Sequence, residues 1–300
     1  MLAPFDLLAL GAAACWALGS VTSVSPARHL GAFAFTRWRM LMVALMLWAL
    51  ALLSGGWRLL PQASWGVLAL SGLIGIFIGD TALFAAMNRL GPRRAGALFA
   101  THAVFSVMLG GWLLSERMSR QAALGAGLTL AGVMLAILLG RHKQESHAWE
   151  ADQGHVGAGV ALVLLAALCQ AVGALIVKPM MSANVDPIAA SALRVTVACA
   201  AHFVLLWMGF ASARAQQAPT GRVLLQTGLN GFIAMGAGMT LLLMALKKGD
   251  VGMVAILSSV SPVLVLPLLW LHLRRAPALG AWLGAALTVL GTALVLSRQA

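Results

Sequence analysis

GDTALFAAMNRLG, residues 79–91, and GMTLLLMALKKGD, residues 238–250, set Gly79 over Gly238, Thr81 over Thr240 and Ala86 over Ala245. At the same offset GAGLTLAG (125–132) lies over GAALTVLG (284–291). Nearer the start of each copy, with different loop lengths between, CWALG (15–19) lies over CQAVG (169–173) and Arg37 over Arg194. Chance recurrence of Ala, Gly and Leu is the competing explanation in so apolar a chain. A match of this reach is read instead as an internal repeat, and it organises everything else.

What repeats is a set of membrane-length segments. Of 300 residues, 61% are hydrophobic and 9% charged, whereas about a quarter of the residues of a soluble chain carry charge. A bilayer core asks for roughly 20 apolar residues per helix. The blocks that meet this are 5–24, 34–53, 65–87, 95–114, 122–140, 157–177, 188–210, 223–245, 252–272 and 278–296. The opening MLAPFDLLALGAAACWALGS lacks a basic front region, so it reads as a spanning helix rather than a cleaved signal. The hydrophilic segment RHKQESHAWEADQGH (141–155) divides the chain into a first five-helix repeat, 1–140, and a second, 156–300. Five is odd, so the second copy enters the membrane from the opposite side. The expected fold is an all-α integral membrane protein of ten transmembrane helices arranged as two inverted five-helix repeats, a plan common among secondary transporters.

Net charge is +12, but the basic residues cluster where apolar runs end, which suits lipid headgroups and not nucleic acid. Cys15, Cys169 and Cys199 all lie in apolar blocks and suggest neither a disulfide framework nor a metal site. His142, Glu145, His147 and His155 crowd the polar segment in no zinc spacing and read as a solvated linker. There is no GxxxxGK[ST], HExxH or GxSxG, so nucleotide-driven pumping and hydrolysis lack their residues. No cofactor, metal or enzymatic activity is expected.

Further residues carry a resemblance. A basic residue opening the second and seventh helices (Arg37, Arg194), RLGPRRAGALF after the third, WLLSERM (112–118) ending the fourth and SPVL (261–264) in the ninth resemble the EamA family of the drug/metabolite transporter superfamily. The resemblance spans nearly the whole chain. It implies export of small metabolites such as amino acids across a plasma membrane, the bacterial inner membrane, with the N-terminus in the cytoplasm. That orientation puts eight Lys and Arg inside (Arg58, Arg117, Arg120, Lys178, Arg194, Lys247, Lys248, Arg298) and the other twelve of twenty outside, which runs against the positive-inside rule.

Among the eight acids, only Asp80 lies deep in an apolar block. An intramembrane carboxylate costs roughly 2.5–3.5 kcal/mol on insertion scales and usually faces a partner or a cavity. Counting eleven residues either side of Gly91, the turn between the third and fourth helices, nominates His102 as its companion at similar depth. The matching positions in the second half are Met239 and Ser261, so the pair belongs to one repeat only. Gly72, Gly75 and Gly79 form a narrow stripe for close helix packing, with Asp80 flanking it.

Arg37 and Arg194 either anchor to headgroups and loop carbonyls or offer a planar fork to a carboxylate. Trp16, Trp38, Gln170 and Asn230 could line a pathway or simply pack. Lys178 with Pro179 marks a helix end or a broken helix. The function expected is secondary active transport by alternating access, with Asp80 and His102 titrating and coupling it to protons. Its partners are a small-molecule solute and the lipid bilayer, and the assembly is a monomer or homodimer. A non-transporting membrane scaffold or an intramembrane enzyme is the alternative, though the acids are too scattered for an enzyme.

Overall fold

The first half begins with two long helices, α1 (Pro4–Leu30) and α2 (Ala32–Leu53). Next comes an interrupted span: α3 (Gln62–Gly72) passes through a π turn at Leu73–Ile78 into α4 (Gly79–Leu90). Another interrupted pair, α5 (Pro92–Phe99) and α6 (His102–Leu113), precedes α7 (Arg120–Leu139). The second half repeats the order: α8 (Val156–Ser182), α9 (Pro187–Trp207), α10 (Gly221–Gly231), a π turn at Phe232–Ala237, α11 (Gly238–Leu246), α12 (Val251–Ser258), α13 (Ser261–Leu273) and α14 (Leu279–Leu296). This computed structural model describes residues 4–90, 92–139, 156–273 and 278–296. The polar segment 141–155, with its histidines, lies outside the described residues.

All regular structure among the described residues is helical. Seven helical stretches are long and apolar enough to cross a membrane: Pro4–Ser23, Phe33–Leu53, Gln62–Met87, Val156–Ser182, Pro187–Trp207, Gly221–Leu246 and Val251–Leu268. His102–Leu113, Arg120–Ala136 and Leu279–Val295 are apolar but shorter. The expected 95–114 block is thus two helices rather than one. Local chemistry explains the break, because Thr101 Oγ1 donates back to Leu98 O at 2.6 Å. At the matching break Ser258 and Ser259 donate to Ala255 O and Ile256 O, at 3.1 and 2.7 Å. Hydroxyls that bond their own preceding turn compete with the helical ladder and bend it. Pro179, by contrast, does not end its helix, since α8 continues to Ser182.

Repetition is visible in places where the letters differ. The two π turns, 73–78 and 232–237, and the two helix starts, His102 and Ser261, keep the offset that lays Gly79 over Gly238. Ser71 Oγ donates to Gly173 O at 2.6 Å, and at the equivalent place Asn230 Nδ2 donates to Gly19 O at 2.7 Å. The first helix of each half therefore lies against the third span of the other: α1 packs on α11, and α8 on α4. Glycines permit this closeness; a Cβ on Gly75 would come 3.1 Å from Gly173 Cα, and one on Gly19 would collide with Ala234. Around this centre α2 packs on α9, tied by Trp48 Nε1 to Thr196 Oγ1 at 2.9 Å, and α7 packs on α14.

Candidate functional site

Four helices, one from the first half and three from the second, line a small, partly open cavity. His102 and Ser106 come from α6, Gln170 and Ala174 from α8, Leu242 and Leu246 from α11, and Val251, Val254, Ala255 and Ser258 from α12. His102 and Gln170 are thus brought together, and two serine hydroxyls supply further polarity within an otherwise apolar wall. His102 opens α6 at the helix break, its ring 5.2 Å from that of Phe99. The space is about that of a single water molecule, with an imidazole, an amide and hydroxyls around it as hydrogen-bonding groups.

Asp80 lies elsewhere. Its carboxylate forms an ion pair with Arg39, Nη2 to Oδ2 at 3.3 Å, so the companion nominated by counting along the hairpin is replaced by a residue of α2. The reason is geometric. Equal depth does not fix helical phase, and α4 turns Asp80 toward α2 while α6 turns His102 toward α8 and α12. The Arg39 guanidinium also stands over the rings of Phe35 and Phe84, at 5.3 and 5.6 Å from their centroids. Aromatic faces favour a cation that has left water. Arg39 is 10% exposed and Asp80 24%, so the acid is the member of the pair that retains access.

Arg194 is the second-half partner of that arrangement, and it lacks the acid. Arg39 and Arg194 each lie seven residues, about 10 Å, into their helices, which begin at Ala32 and Pro187. Gly231 packs on Arg39, chiefly on its side chain, as Gly72 packs on the backbone of Arg194. The structural equivalent of Arg194 is therefore Arg39, not the Arg37 of the sequence alignment, and the register of α2 shifts by two residues. Met239 occupies the place of Asp80, with its Sδ 3.3 Å from Arg194 Nη1. Arg194 is 3% exposed, and its Nε has no hydrogen-bond partner. It is an interior residue rather than a headgroup anchor.

The remaining candidates divide between ties and packing. Arg37 donates to Ala213 O in the loop after α9 and stacks over Phe203, which is the anchoring role. Asn230 bonds Gly19 O and Thr22 Oγ1 on α1 at 2.7 and 2.8 Å and serves as a tie. Trp16 packs on Gly238, and Trp38 joins Leu30, Ala34 and Phe35 in a separate apolar cluster. Two residues that the sequence reading left aside belong to the polar interior. One is Arg39, overlooked beside Arg37. The other is His202, buried on α9 with its ring edge-on to Phe77 of the π turn at 5.1 Å.

One end of the cavity is fastened by charge. Glu116, from the loop after α6, accepts from Val251 N and Gly252 N at 2.8 and 3.3 Å, satisfying the free N–H groups that begin α12. Gly110 leaves the room, since a Cβ there would meet the carboxylate. Lys178 Nζ donates to Leu246 O and Gly249 O at 2.8 Å each and caps α11. Only the Glu116 contact joins the two halves here, because Lys178, Leu246 and Gly249 all belong to the second half. Among the described residues, no cluster of three His, Cys, Asp or Glu could hold a metal ion.

The model of the EamA-like transporter family matches residues 3–138 and, a second time, residues 157–297. The chain belongs to that family. It is a multi-pass membrane protein from a transporter family of the drug/metabolite superfamily, with one family repeat in each half. A solved crystal structure superposes on this EamA chain with a TM-score of 0.78 at 21% identity, over 100% of this chain and 99% of the other. It is one of 29 solved chains that match, and its likeness concerns the fold. No curated protein matches the chain.

Proposed function

We propose that this EamA chain is a secondary active transporter of ten transmembrane helices in two inverted five-helix repeats, working by alternating access. In this reading it exports small metabolites such as amino acids across the bacterial inner membrane, with protons coupled through Asp80. The observation that carries the reading is the pair of matched interruptions: a π turn in the third span of each half, and a break in the following helix, at equivalent positions. Interrupted helices at equivalent places give each half a hinge of the kind that alternating access uses. The same reading takes residues 1–140 and 156–300 as the moving units and 141–155 as their linker.

The test is uptake of a radiolabelled amino-acid mixture into proteoliposomes, with and without an imposed pH gradient, for the native chain and Asp80→Asn. The gradient is expected to accelerate native uptake. Asp80→Asn should lose that acceleration while retaining exchange of solute at equal pH. Undiminished gradient-driven uptake by the variant would remove Asp80 from the coupling step.

A further inference from the structure

We propose that Arg194 is the receptor for an anionic group on the transported solute, and that this group is a carboxylate. The inference rests on the transport reading above and names its substrate class. It starts from a difference among three arginines, each taken largely out of water. Arg37 has the Ala213 carbonyl and the Phe203 face, and Arg39 has Asp80 and two aromatic rings. Arg194 has a thioether, a weak acceptor, and an unpartnered Nε. No acid among the described residues pairs with it. A buried charge without a counterion is unfavourable unless something supplies one.

The repeat shows where the counterion would enter. At the equivalent site of the first half the chain itself provides a carboxylate, Asp80, beside Arg39. In the second half Met239 leaves that place apolar and deformable, because its unbranched side chain can swing aside. The Arg194 head lies against the contact between the first π turn and α8, beside the cavity lining but not part of it. Its Nη2 and Cys169 O both lie 3.5 Å from the point that a Cβ on Gly75 would occupy, and the next residue, Gln170, faces the cavity with His102. One planar guanidinium matches one planar, singly charged carboxylate in a two-bond fork.

The experiment measures binding of L-amino acids, each paired with its amide, to purified full-length protein by the ligand-induced rise in melting temperature, and repeats the same pairs in the proteoliposome assay. The acids should bind the native chain at least about tenfold more tightly than the amides, as expected for loss of a charge-assisted bond. Arg194→Gln should erase the preference, and Arg194→Lys should restore part of it. Met239→Asp, which grafts the first half's acid beside Arg194, should also abolish acid binding while keeping the native gel-filtration profile. Equal binding of acids and amides by the native chain, or native-like acid binding by either Arg194→Gln or Met239→Asp, overturns the proposal. Saturable uptake of the amides alone would overturn it while leaving the transport reading intact, whereas absence of uptake in every arm would strike that reading itself.

Discussion

Arg39 with Asp80 in the first half, and Arg194 with Met239 in the second, occupy equivalent places yet differ in charge by one unit. The helices, π turns and glycine contacts around them are shared, so the backbone plan does not require the acid. Only the first pair is internally neutral. In a low-dielectric interior this difference matters more than any detail of packing, since an ion pair is self-sufficient and a lone guanidinium is not. Two similar scaffolds therefore hold one closed electrostatic unit and one open one.

The comparison can be broken by making both halves alike. Asp80→Leu leaves Arg39 uncompensated and is expected to cost about 3 kcal/mol, as for loss of one member of a buried pair. Met239→Leu removes only a weak sulfur contact and keeps volume, so its cost should stay below about 1.5 kcal/mol. Reversible unfolding in mixed micelles measures both. Equal costs would mean that the ion pair contributes nothing particular to the first half. A smaller contrast concerns the glycines beneath the two arginines. A Cβ on Gly72 would meet Arg194 backbone O at 2.5 Å, whereas one on Gly231 would meet the side chains of Val43 and Arg39 at 2.7 and 2.8 Å. Side chains can yield where backbone cannot. Gly72→Ala should therefore cost about 2 to 3 kcal/mol and Gly231→Ala about 1 kcal/mol, within the range for overpacking; the reverse order would contradict the packing described.

Much of this was legible in the letters. Seven membrane-length spans and the repeat follow from apolar runs and spacing, because bilayer thickness constrains helix length strongly, and the family follows from the motifs that resemble it. Met239 as the counterpart of Asp80 was legible as well. The partner of Asp80 was not, since counting residues from a turn gives depth but leaves helical phase open, and phase sent His102 to α8 and Asp80 to α2. Arg39 was hidden beside Arg37, and two residues of register decided between them. The Ser71 and Asn230 ties escaped because different side chains make the same bond to Gly173 and Gly19. The π turns left no mark in composition. Interruption of a helix depends on which backbone groups find other partners, and apolar pattern does not report that.

Alternating access requires the fastened end of the cavity to open during each cycle. Arg117 and Asp250, one from each half, line the same small cavity beside the Glu116 clasp. With the three native cysteines replaced, Arg117→Cys and Asp250→Cys can be joined by a short bifunctional thiol reagent in proteoliposomes. The decisive measurement is the flux of labelled amino acids before and after joining. Flux is expected to stop on joining and to return when a cleavable reagent is cut. Full flux through the joined protein would contradict alternating access.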